Sequence, residues 1–567
     1  MTKTKLARRF TVLVSAIAVS GVLATGLATA TAGASARVRV SDATTPTGTL
    51  NIADEWGFAW PCQFNPYNAS DFYFSFGPVY EELAYVDSIN RGAVTPWLAS
   101  AWTWSNGNKT LTFTVRKGVT WSDGQPFSAA DVLFTFNLLK KDPALDLNAD
   151  WSVLSSVVAK GTDQVAFNFK SAAVSYFYYI ADQTPIVPEH IWSTVKNPAT
   201  FQDPHPIGTG GYELSACNGS NMQFTANPHY WQPGLPKIET VNFPSYLSNN
   251  AANQDLTSGV DQWGSQFIPS INKVYVSKDP KYYHYWFAPV YSVALWPNLT
   301  NPILSDVAVR EAIAYAINRP QVGAIGEYGE EPGANQTDVV TPTFSNWYDS
   351  SLAAKYGNAY AYNPSKAVSI LEADGYKKAS DGIFAKDGKQ LSFTLLNNAG
   401  FSDWVSAVNV IQSELLAVGI KITPRNVTDP TFGTLVSDGK FQLAYQWDSG
   451  GPTPYYEMRA LLFSGNSAAV GSAAASNFER YSNKATDALI ADYAATTSSA
   501  VQHQVVDKLE QVMLSEVPVI PVTEQVDWYQ YDTQHIAGWV TASNPYAQPG
   551  QYVTPDWGVV LLHLYYK

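Results

Sequence analysis

Residues 110–132 read TLTFTVRKGVTWSDGQPFSAADV, and this stretch contains the strand-to-helix transition on which the fold assignment depends. Residues 111–115 alternate apolar and polar side chains, and a period of two predicts a half-buried β-strand. Ser128 and Asp131 then form a capping box, with Asp in the place of the usual Glu. A helix is therefore predicted to begin at Ser128.

Downstream of this stretch, a helix, a short turn and a strand alternate repeatedly through residues 305–445. Residues 306–318 carry apolar side chains at three- and four-residue spacing, which predicts an amphipathic helix. Asn363 before Pro364 is a helix start, and the helix of residues 408–416 stops at Gly419 before a strand at 420–423. This order indicates α/β layering. Outside that region, strands are predicted at three short segments: residues 49–53, 212–214 and 518–521.

The length and composition limit the protein classes. A chain of 567 residues is too long for one compact core, so two or three structural units are expected. Aromatic residues reach 14%, more than a core requires, and flat rings are also what a binding cleft uses to hold sugars, peptides or bases. The formal net charge of −13 disfavours binding to nucleic acid or anionic lipid.

The first 36 residues have the pattern of a secretory signal peptide. A basic start is followed by an apolar run over residues 12–30, and Ala34-Ser35-Ala36 is a small-residue cleavage site, with Ala30-Thr31-Ala32 as a second candidate. A transmembrane anchor is the alternative, but the run contains Ser, Thr and Gly. No Cys follows the run, so no lipid anchor is expected. The mature protein is predicted to work outside the cytoplasm, after a flexible leader at residues 37–48.

The chain contains two cysteines, Cys62 and Cys217. In an exported protein a single pair favours a disulfide, and two separate buried thiols are the alternative. The seven histidines show no metal-ligand spacing, and no HExxH, CxxC or Walker motif occurs. The Gly-rich residues 208–211 read as a tight turn before a strand. No metal, cofactor or catalytic residue is predicted, although a carboxylate pair that hydrolyses glycosides needs only spatial proximity.

Residues 96–102, PWLASAW, together with residues 110–132 resemble the signature of the peptide/nickel-type (family 5) extracellular solute-binding proteins of ABC importers. Further blocks follow in the family's order: GTGGY at 208–212 (with Gly211 in place of Pro), NPHYW at 227–231, DVAVREAI at 306–313, YSN at 481–483 and PVIP at 518–521. The likeness covers roughly residues 48–567.

The resemblance implies a two-lobed α/β clamshell of the periplasmic-binding-protein type, with an extra subdomain and two crossover hinge strands near residues 290–300 and 520–530. Its parts are expected at residues 45–80, 206–295 and 525–567 for lobe I, at 81–205 for the extra subdomain of lobe I, and at 296–524 for lobe II. The implied function is ligand capture between the lobes and delivery to a membrane ABC permease. A monomer without enzymatic activity is expected.

Two ligand classes remain open. Residues 242–246, 259–267, 278–289, 544–547 and 559–562 resemble the branch of the family that binds β-linked oligosaccharides. Residues 447–452, WDSGGP, instead resemble the segment whose Asp holds a peptide's α-amine. Asp448 can equally cap a turn before Pro452, and Gly451 stands where the family usually has an acidic residue. We favour a cello- or manno-type oligosaccharide, with an oligopeptide as the alternative; no histidine cluster supports nickel.

Sugar rings stack on aromatic side chains, and their hydroxyls need carboxylates and amides. The residues predicted to bind ligand are Asp54, Glu55, Trp56, Trp60, Trp263, Trp286, Tyr291, Trp296, Asn298, Trp447 and Asp448. Two other classes are retained as alternatives: a secreted glycoside hydrolase or peptidase, which would release products, and a surface scaffold, which would expose an aromatic face.

Overall fold

The computed structural model describes residues 45–55, 57–68, 74–448 and 450–567. The predicted signal peptide and most of the predicted leader lie outside the described residues. None of the helices in the described part of the chain combines the length and apolar character needed to cross a membrane.

Lobe I is built around a mixed sheet. In spatial order its strands are Tyr283–Tyr285, Gln530–Asp532, Trp263–Gly264, Thr49–Ala53, Thr240–Pro244, Asn221–Ala226 and Tyr212–Asn218. The first strand of the chain, Thr49–Ala53, lies in the middle and runs parallel to both of its neighbours. Its side chains Leu50 and Ile52 are fully buried, because a central strand is covered on both faces. The helices of this lobe are Asn249–Thr257, Ile271–Val274 and Asp556–His563.

The extra subdomain carries an antiparallel sheet with the strand order Ala99–Ser105, Thr110–Val115, Gln164–Phe169 and Leu154–Ala159. Strands Ala84–Asp87 and Ala93–Pro96 form a separate hairpin. The predicted strand is confirmed, and Leu111, Phe113 and Val115 are its buried face. The predicted capping box is also present and begins the helix Ala129–Lys141, which packs Phe136 edge-on against Phe167 at 4.6 Å. The other helices are Asp150–Val153, Tyr176–Ala181 and Glu189–Trp192.

The predicted glycine turn connects the subdomain to lobe I. A Cβ at Gly208 would lie 1.8 Å from the carbonyl oxygen of Val79, and one at Gly210 would lie 2.2 Å from that of Pro78. The Gly210 amide donates to the Val79 carbonyl at 2.8 Å. Glycine is required here because two backbone segments touch directly.

Lobe II contains a second sheet, with the strand order Lys421–Val427, Ser392–Asn398, Leu443–Trp447, Ala288–Pro297 and Ile520–Asp527. The first three strands are parallel, and the last two pair antiparallel. A small meander adds Lys377–Lys378, Phe384–Lys386 and Lys389–Gln390. The helices of this lobe are Val307–Ala316, Arg319–Gly326, Ser350–Lys355, Pro364–Ala373, Ser402–Ala417, Asp429–Ser437, Pro454–Leu462, Lys484–Ala495 and Ser499–Glu516, together with an irregular single turn at Gly357–Tyr360.

The helix predicted at residues 306–318 is present as Val307–Ala316, and the helix cap predicted at Asn363 is confirmed. Asp306 caps the helix Val307–Ala316, and Asn363 caps Pro364–Ala373 by accepting from the Lys366 amide. One predicted strand is displaced: the strand expected at 518–521 begins at Ile520 and continues to Asp527. The reason is that Val517, with φ 46°, adopts a left-handed conformation that ends the preceding helix.

Two strands connect the lobes, and we call Ala288–Pro297 and Ile520–Asp527 the hinge strands. One leads from lobe I into lobe II and the other returns, and they pair with each other along their length. The protein is therefore a two-lobed α/β clamshell with a separate antiparallel subdomain. The residue limits given above for the lobes stay a prediction.

Candidate functional site

The carboxyl ends of the central strands of both sheets face the space between the lobes. In lobe II, the parallel strands end on the side where the hinge strand Ile520–Asp527 crosses into lobe I. In lobe I, the parallel strands Thr49–Ala53 and Trp263–Gly264 end side by side, next to Glu55 and Gln266. Open α/β sheets bind ligands in the crevice outside their carboxyl strand ends. The candidate site therefore lies between the lobes.

Acidic side chains of both lobes face each other across this space. Glu55 follows the first strand of lobe I, and Asp403 and Asp429 lie in the first turns of two lobe II helices. Burial, followed by the charges of Asp403 and Asp429, raises the pKa of Glu55 to about 7. A carboxylate charge contributes to the pKa of a neighbouring group only when the two lie at short range. The two lobes are thus close together at this edge.

An aromatic platform lies at the same edge of lobe II. Trp447 ends the strand Leu443–Trp447 and is 37% exposed, whereas Trp296 and Trp404 of the same lobe are buried. Its ring packs against Trp404 at 5.1 Å and Phe401 at 6.0 Å. A half-supported, half-exposed indole at a strand end is suited to stacking on a flat apolar surface of a ligand.

Both hinge strands also carry polar side chains. Tyr291 lies in one hinge strand, and burial together with Asp527, Glu331 and Glu457 raises its pKa. Asp527 ends the other hinge strand and accepts a hydrogen bond from the Gly550 amide at 3.2 Å. Burial raises the pKa of Asp527 to about 7. The floor of the space is therefore polar and acidic.

Asp448 belongs to a group of three buried acids that we call the carboxylate cluster: Asp338, Asp448 and Glu457. One oxygen of each lies within 4.8 Å of the others. The backbone of Ser292 in the hinge strand positions two of them, since the Asp448 amide donates to the Ser292 carbonyl at 2.8 Å and the Ser292 amide donates to Glu457 at 3.0 Å. The cluster is thus attached to the hinge.

Within the described residues, no salt bridge pairs a basic side chain with the acids of the candidate site or of the carboxylate cluster. The ion pairs found there are Lys117–Asp163, His190–Asp123, Lys386–Asp374 and Lys440–Asp438, and none includes a carboxylate of the candidate site. Unpaired buried acids repel an anion and accept hydrogen bonds or cations. The site is therefore suited to a hydroxyl-rich neutral ligand or to a cationic one.

Of the residues predicted to bind ligand, Glu55 lies close to Asp403 and Asp429, and Trp447 packs on Trp404 at the same edge of lobe II. Asp54 precedes Glu55 and is buried, Tyr291 lies in a hinge strand, and Asp448 is buried in the carboxylate cluster. Trp56 lies outside the described residues. Trp286 is half-buried against the lobe I core, at the start of the first hinge strand.

Four predicted residues lie in the interior instead. The Trp60 indole donates to the Phe243 carbonyl, and the Trp263 indole donates to that of Pro549. Trp296 stacks on Phe478 at 5.5 Å. Asn298 holds a turn by donating to the Gly439 and Phe441 carbonyls. We leave these four residues out of the ligand site proposed below, because packing and local hydrogen bonds account for them.

Sequence reasoning missed Asp338, Asp403, Asp429 and Glu457. Asp429 could have been found, because it lies two residues after the strand Lys421–Val427 and precedes Pro430 at a helix start. Asp338 lies in a segment without regular structure, so no periodic signal marked it.

Taken together, the hinged pair of lobes and the polar, aromatic space between them define a binding protein of the two-lobed periplasmic type. The chain belongs to the bacterial extracellular solute-binding proteins, family 5, whose model matches residues 93–469. It is thus a substrate-binding protein of an ABC importer, which works outside the cytoplasm, binds small-molecule ligands and serves an ABC transporter.

Relatives with different ligands are similar to this chain. The nickel-binding periplasmic protein of Escherichia coli is 27% identical over 429 residues, which cover 72% of this chain and 78% of that protein. The oligopeptide-binding protein AppA of Bacillus subtilis is 28% identical over 321 residues, covering 54% and 56%. A periplasmic oligopeptide-binding protein of Thermotoga maritima, solved with bound mannohexaose, has a TM-score of 0.82 at 25% identity, covering 92% and 98%.

The raised pKa of Glu55 predicts that stability falls as the pH rises. Between its ordinary pKa of 4.5 and about 7, the folded protein holds a proton that the unfolded chain has released. The free energy of unfolding therefore decreases across this window, by about 1–3 kcal/mol from this one group. We expect urea denaturation at about pH 5 and about pH 8 to show a smaller decrease for Glu55→Gln than for the wild type. Equal decreases in the two proteins would contradict this assignment.

Proposed function

We propose that this protein captures a β-linked oligosaccharide of the cello or manno type between its lobes and delivers it to a membrane permease. The observation that supports this most directly is the exposed Trp447 ring at the carboxyl edge of lobe II, with Glu55, Asp403 and Asp429 around the same space. Pyranose rings offer apolar faces to an indole, and their hydroxyls donate hydrogen bonds to carboxylates. The likeness to the mannohexaose-bound protein of Thermotoga maritima supports the same ligand class.

An oligopeptide is the second candidate, supported by one observation. Asp448 is 2% exposed, and its two carboxylate oxygens accept no hydrogen bond within the part of the chain that the structure describes. A peptide's α-ammonium group would pair with such a carboxylate. However, the same acidic surroundings give no partner for the peptide's C-terminal carboxylate, so we rank this candidate second.

A thermal-shift screen separates the two candidates. A ligand that binds only the native state raises the melting temperature by mass action. We expect cello- or manno-oligosaccharides of two to about six units to raise the melting temperature, and di- to pentapeptides to leave it unchanged. The opposite pattern would replace the sugar assignment with the peptide one.

The screen gains its site specificity from two tryptophan variants. Trp447→Ala should weaken sugar binding by about 1–3 kcal/mol, because it removes the stacking surface. Trp347→Ala is the matched control, since Trp347 is a half-buried tryptophan of the same lobe that stacks on His503 at 3.8 Å. Equal affinities in all three proteins would place the ligand elsewhere.

We also propose that the mature protein is a secreted monomer, cleaved near Ala36, that binds its ligand without turnover. The glycoside hydrolase alternative is tested with the same ligands: incubation with cello-oligosaccharides should leave their chain length unchanged.

A scaffold would bind polymer without compaction, whereas a clamshell should show a smaller radius of gyration in X-ray scattering when it is saturated with ligand.

A further inference from the structure

We propose that the carboxylate cluster of Asp338, Asp448 and Glu457 is a binding site for a divalent cation, with Ca²⁺ as the ion that fits its chemistry. The proposal is compatible with an oligosaccharide ligand, whereas a peptide whose α-ammonium group paired with Asp448 would compete with the cation. The sequence shows no metal-binding motif here because Asp338 lies far from the other two acids in the chain and meets them only in the folded lobe.

The spacing of the three acids fits the coordination of a single bound ion. Ca²⁺ binds oxygen ligands at about 2.3–2.6 Å, so two oxygens on one ion are at most about 5 Å apart. One oxygen from each acid lies within 4.8 Å of the others. Carboxylate oxygens are hard ligands that suit Ca²⁺ or Mg²⁺, and the irregular arrangement of a loop, a strand end and a helix start suits the more flexible Ca²⁺ shell.

The acids are deeply buried and lack partners. Asp338 is 1% exposed, Asp448 2% and Glu457 1%. Among the described residues, no donor forms a hydrogen bond to either oxygen of Asp338 or Asp448, or to the second oxygen of Glu457. Ser292 and the Trp296 indole are close enough to lower the pKa of Asp338 and Asp448, but neither completes a hydrogen bond. Such groups need a counter-charge or a proton.

A fourth buried acid near the cluster, Glu479, also lacks hydrogen-bond partners in the described part of the chain. Glu479 is fully buried, and neither of its oxygens has a hydrogen-bond partner within the described ranges. Its charge raises the pKa of Asp448. Burial raises the pKa of Asp338 to about 7 and those of Asp448 and Glu457 well above their usual range. A bound cation would relieve this repulsion between like charges.

The site would act on the hinge, because Ser292 holds two of its three acids. A cation would fix the strand end at Asp448 and the start of the helix Pro454–Leu462 relative to the hinge strand Ala288–Pro297. The ligand-binding edge of lobe II would then be set in place before a ligand arrives.

The test compares melting temperatures in EDTA and in millimolar CaCl₂ for wild type, Asp338→Asn and Asp448→Asn. We expect Ca²⁺ to raise the wild-type melting temperature by a few degrees and to leave both variants unchanged. In EDTA the variants should melt at or above the wild-type temperature, because each removes one of the repelling charges. Glu82→Gln, which changes an equally buried acid of the extra subdomain, is the control and should keep the full Ca²⁺ response.

Terbium luminescence provides the second readout. Tb³⁺ replaces Ca²⁺ at oxygen sites, and the nearby Trp296 should sensitise its emission. We expect Tb³⁺ emission from the wild type and from Glu82→Gln, and excess Ca²⁺ should abolish it by displacing the bound Tb³⁺. In Asp448→Asn the affinity for Tb³⁺ should be at least about tenfold weaker, which is the change that one pK unit of interaction represents. No response of the wild type to Ca²⁺, Mg²⁺ or Tb³⁺ would overturn the proposal and leave a protonated cluster. Equal responses in Asp448→Asn would place the ion elsewhere.

Discussion

The double variant Cys62→Ser/Cys217→Ser is expected to lose about 3–5 kcal/mol of unfolding free energy. The structure joins these cysteines by a disulfide with a Cα–Cα distance of 5.7 Å, across a separation of 155 residues. A crosslink that closes so long a loop removes much of the conformational entropy of the unfolded chain, and this gain grows with loop length. The loss should appear in urea denaturation, and wild-type protein treated with dithiothreitol should show the same loss.

Ligand affinity should change far less than stability in this variant. The disulfide attaches the loop after Glu55 to the outer strand Tyr212–Asn218, and Trp60 attaches the same loop independently. The Trp60 amide donates a hydrogen bond to the Gly219 carbonyl at 3.0 Å, and the Trp60 indole donates one to the Phe243 carbonyl at 2.8 Å. A variant that keeps the wild-type stability would show that these contacts alone hold the loop, contrary to the prediction.

The elements that the sequence predicted correctly are those with local causes. The strand Thr49–Ala53, the capping box at Ser128 and the cap at Asn363 each depend on residues within four positions of one another. Hydrogen bonds of this range form in the same way wherever the segment lies. The two-lobed architecture followed from long blocks of family resemblance and not from these local signals.

The candidate site was harder to predict because burial is a property of the assembled lobes. Trp60 and Trp447 are both predicted from the sequence to bind ligand, yet Trp60 is 3% exposed and Trp447 37%. Only the packing of Phe74 and Phe243 around Trp60 decides this difference. Likewise, Asp448 resembled a ligand residue, but nothing local indicated that Asp338 and Glu457 would join it. Long-range convergence leaves no periodic pattern in a single sequence.

A second large effect is expected where the extra subdomain meets lobe II. Arg459, in the helix Pro454–Leu462, is 5% exposed and lies between Tyr176 and Tyr179, with both ring centroids 5.1 Å from its guanidinium carbon. It donates hydrogen bonds to both tyrosine hydroxyls. Because the covalent links between the lobes are the hinge strands, we expect contacts of this kind to stabilise the closed form of the clamshell.

Arg459→Ala should therefore favour the open form. A buried guanidinium with two hydrogen bonds and two ring contacts contributes about 2–4 kcal/mol. Part of this loss reduces the population of the closed form, so we expect ligand affinity to fall by about 10–100-fold, which corresponds to 1.4 kcal/mol for each factor of ten. X-ray scattering should show a larger radius of gyration for the variant without ligand, and compaction only at higher ligand concentration.

Arg480→Ala is the matched control for this effect. Arg480 is also buried, but its guanidinium donates to the carbonyls of Phe478, Ser437 and Ser472, all within lobe II. Its removal should lower the melting temperature without changing the radius of gyration or the affinity, since no contact between the lobes is lost.

If both variants change only the melting temperature, the Arg459 contact is a permanent part of the fold, and closure depends on the ligand and the hinge strands instead. If Arg459→Ala alone opens the protein, the contact of its helix with residues 176–179 belongs to the closing motion, and the extra subdomain takes part in ligand retention.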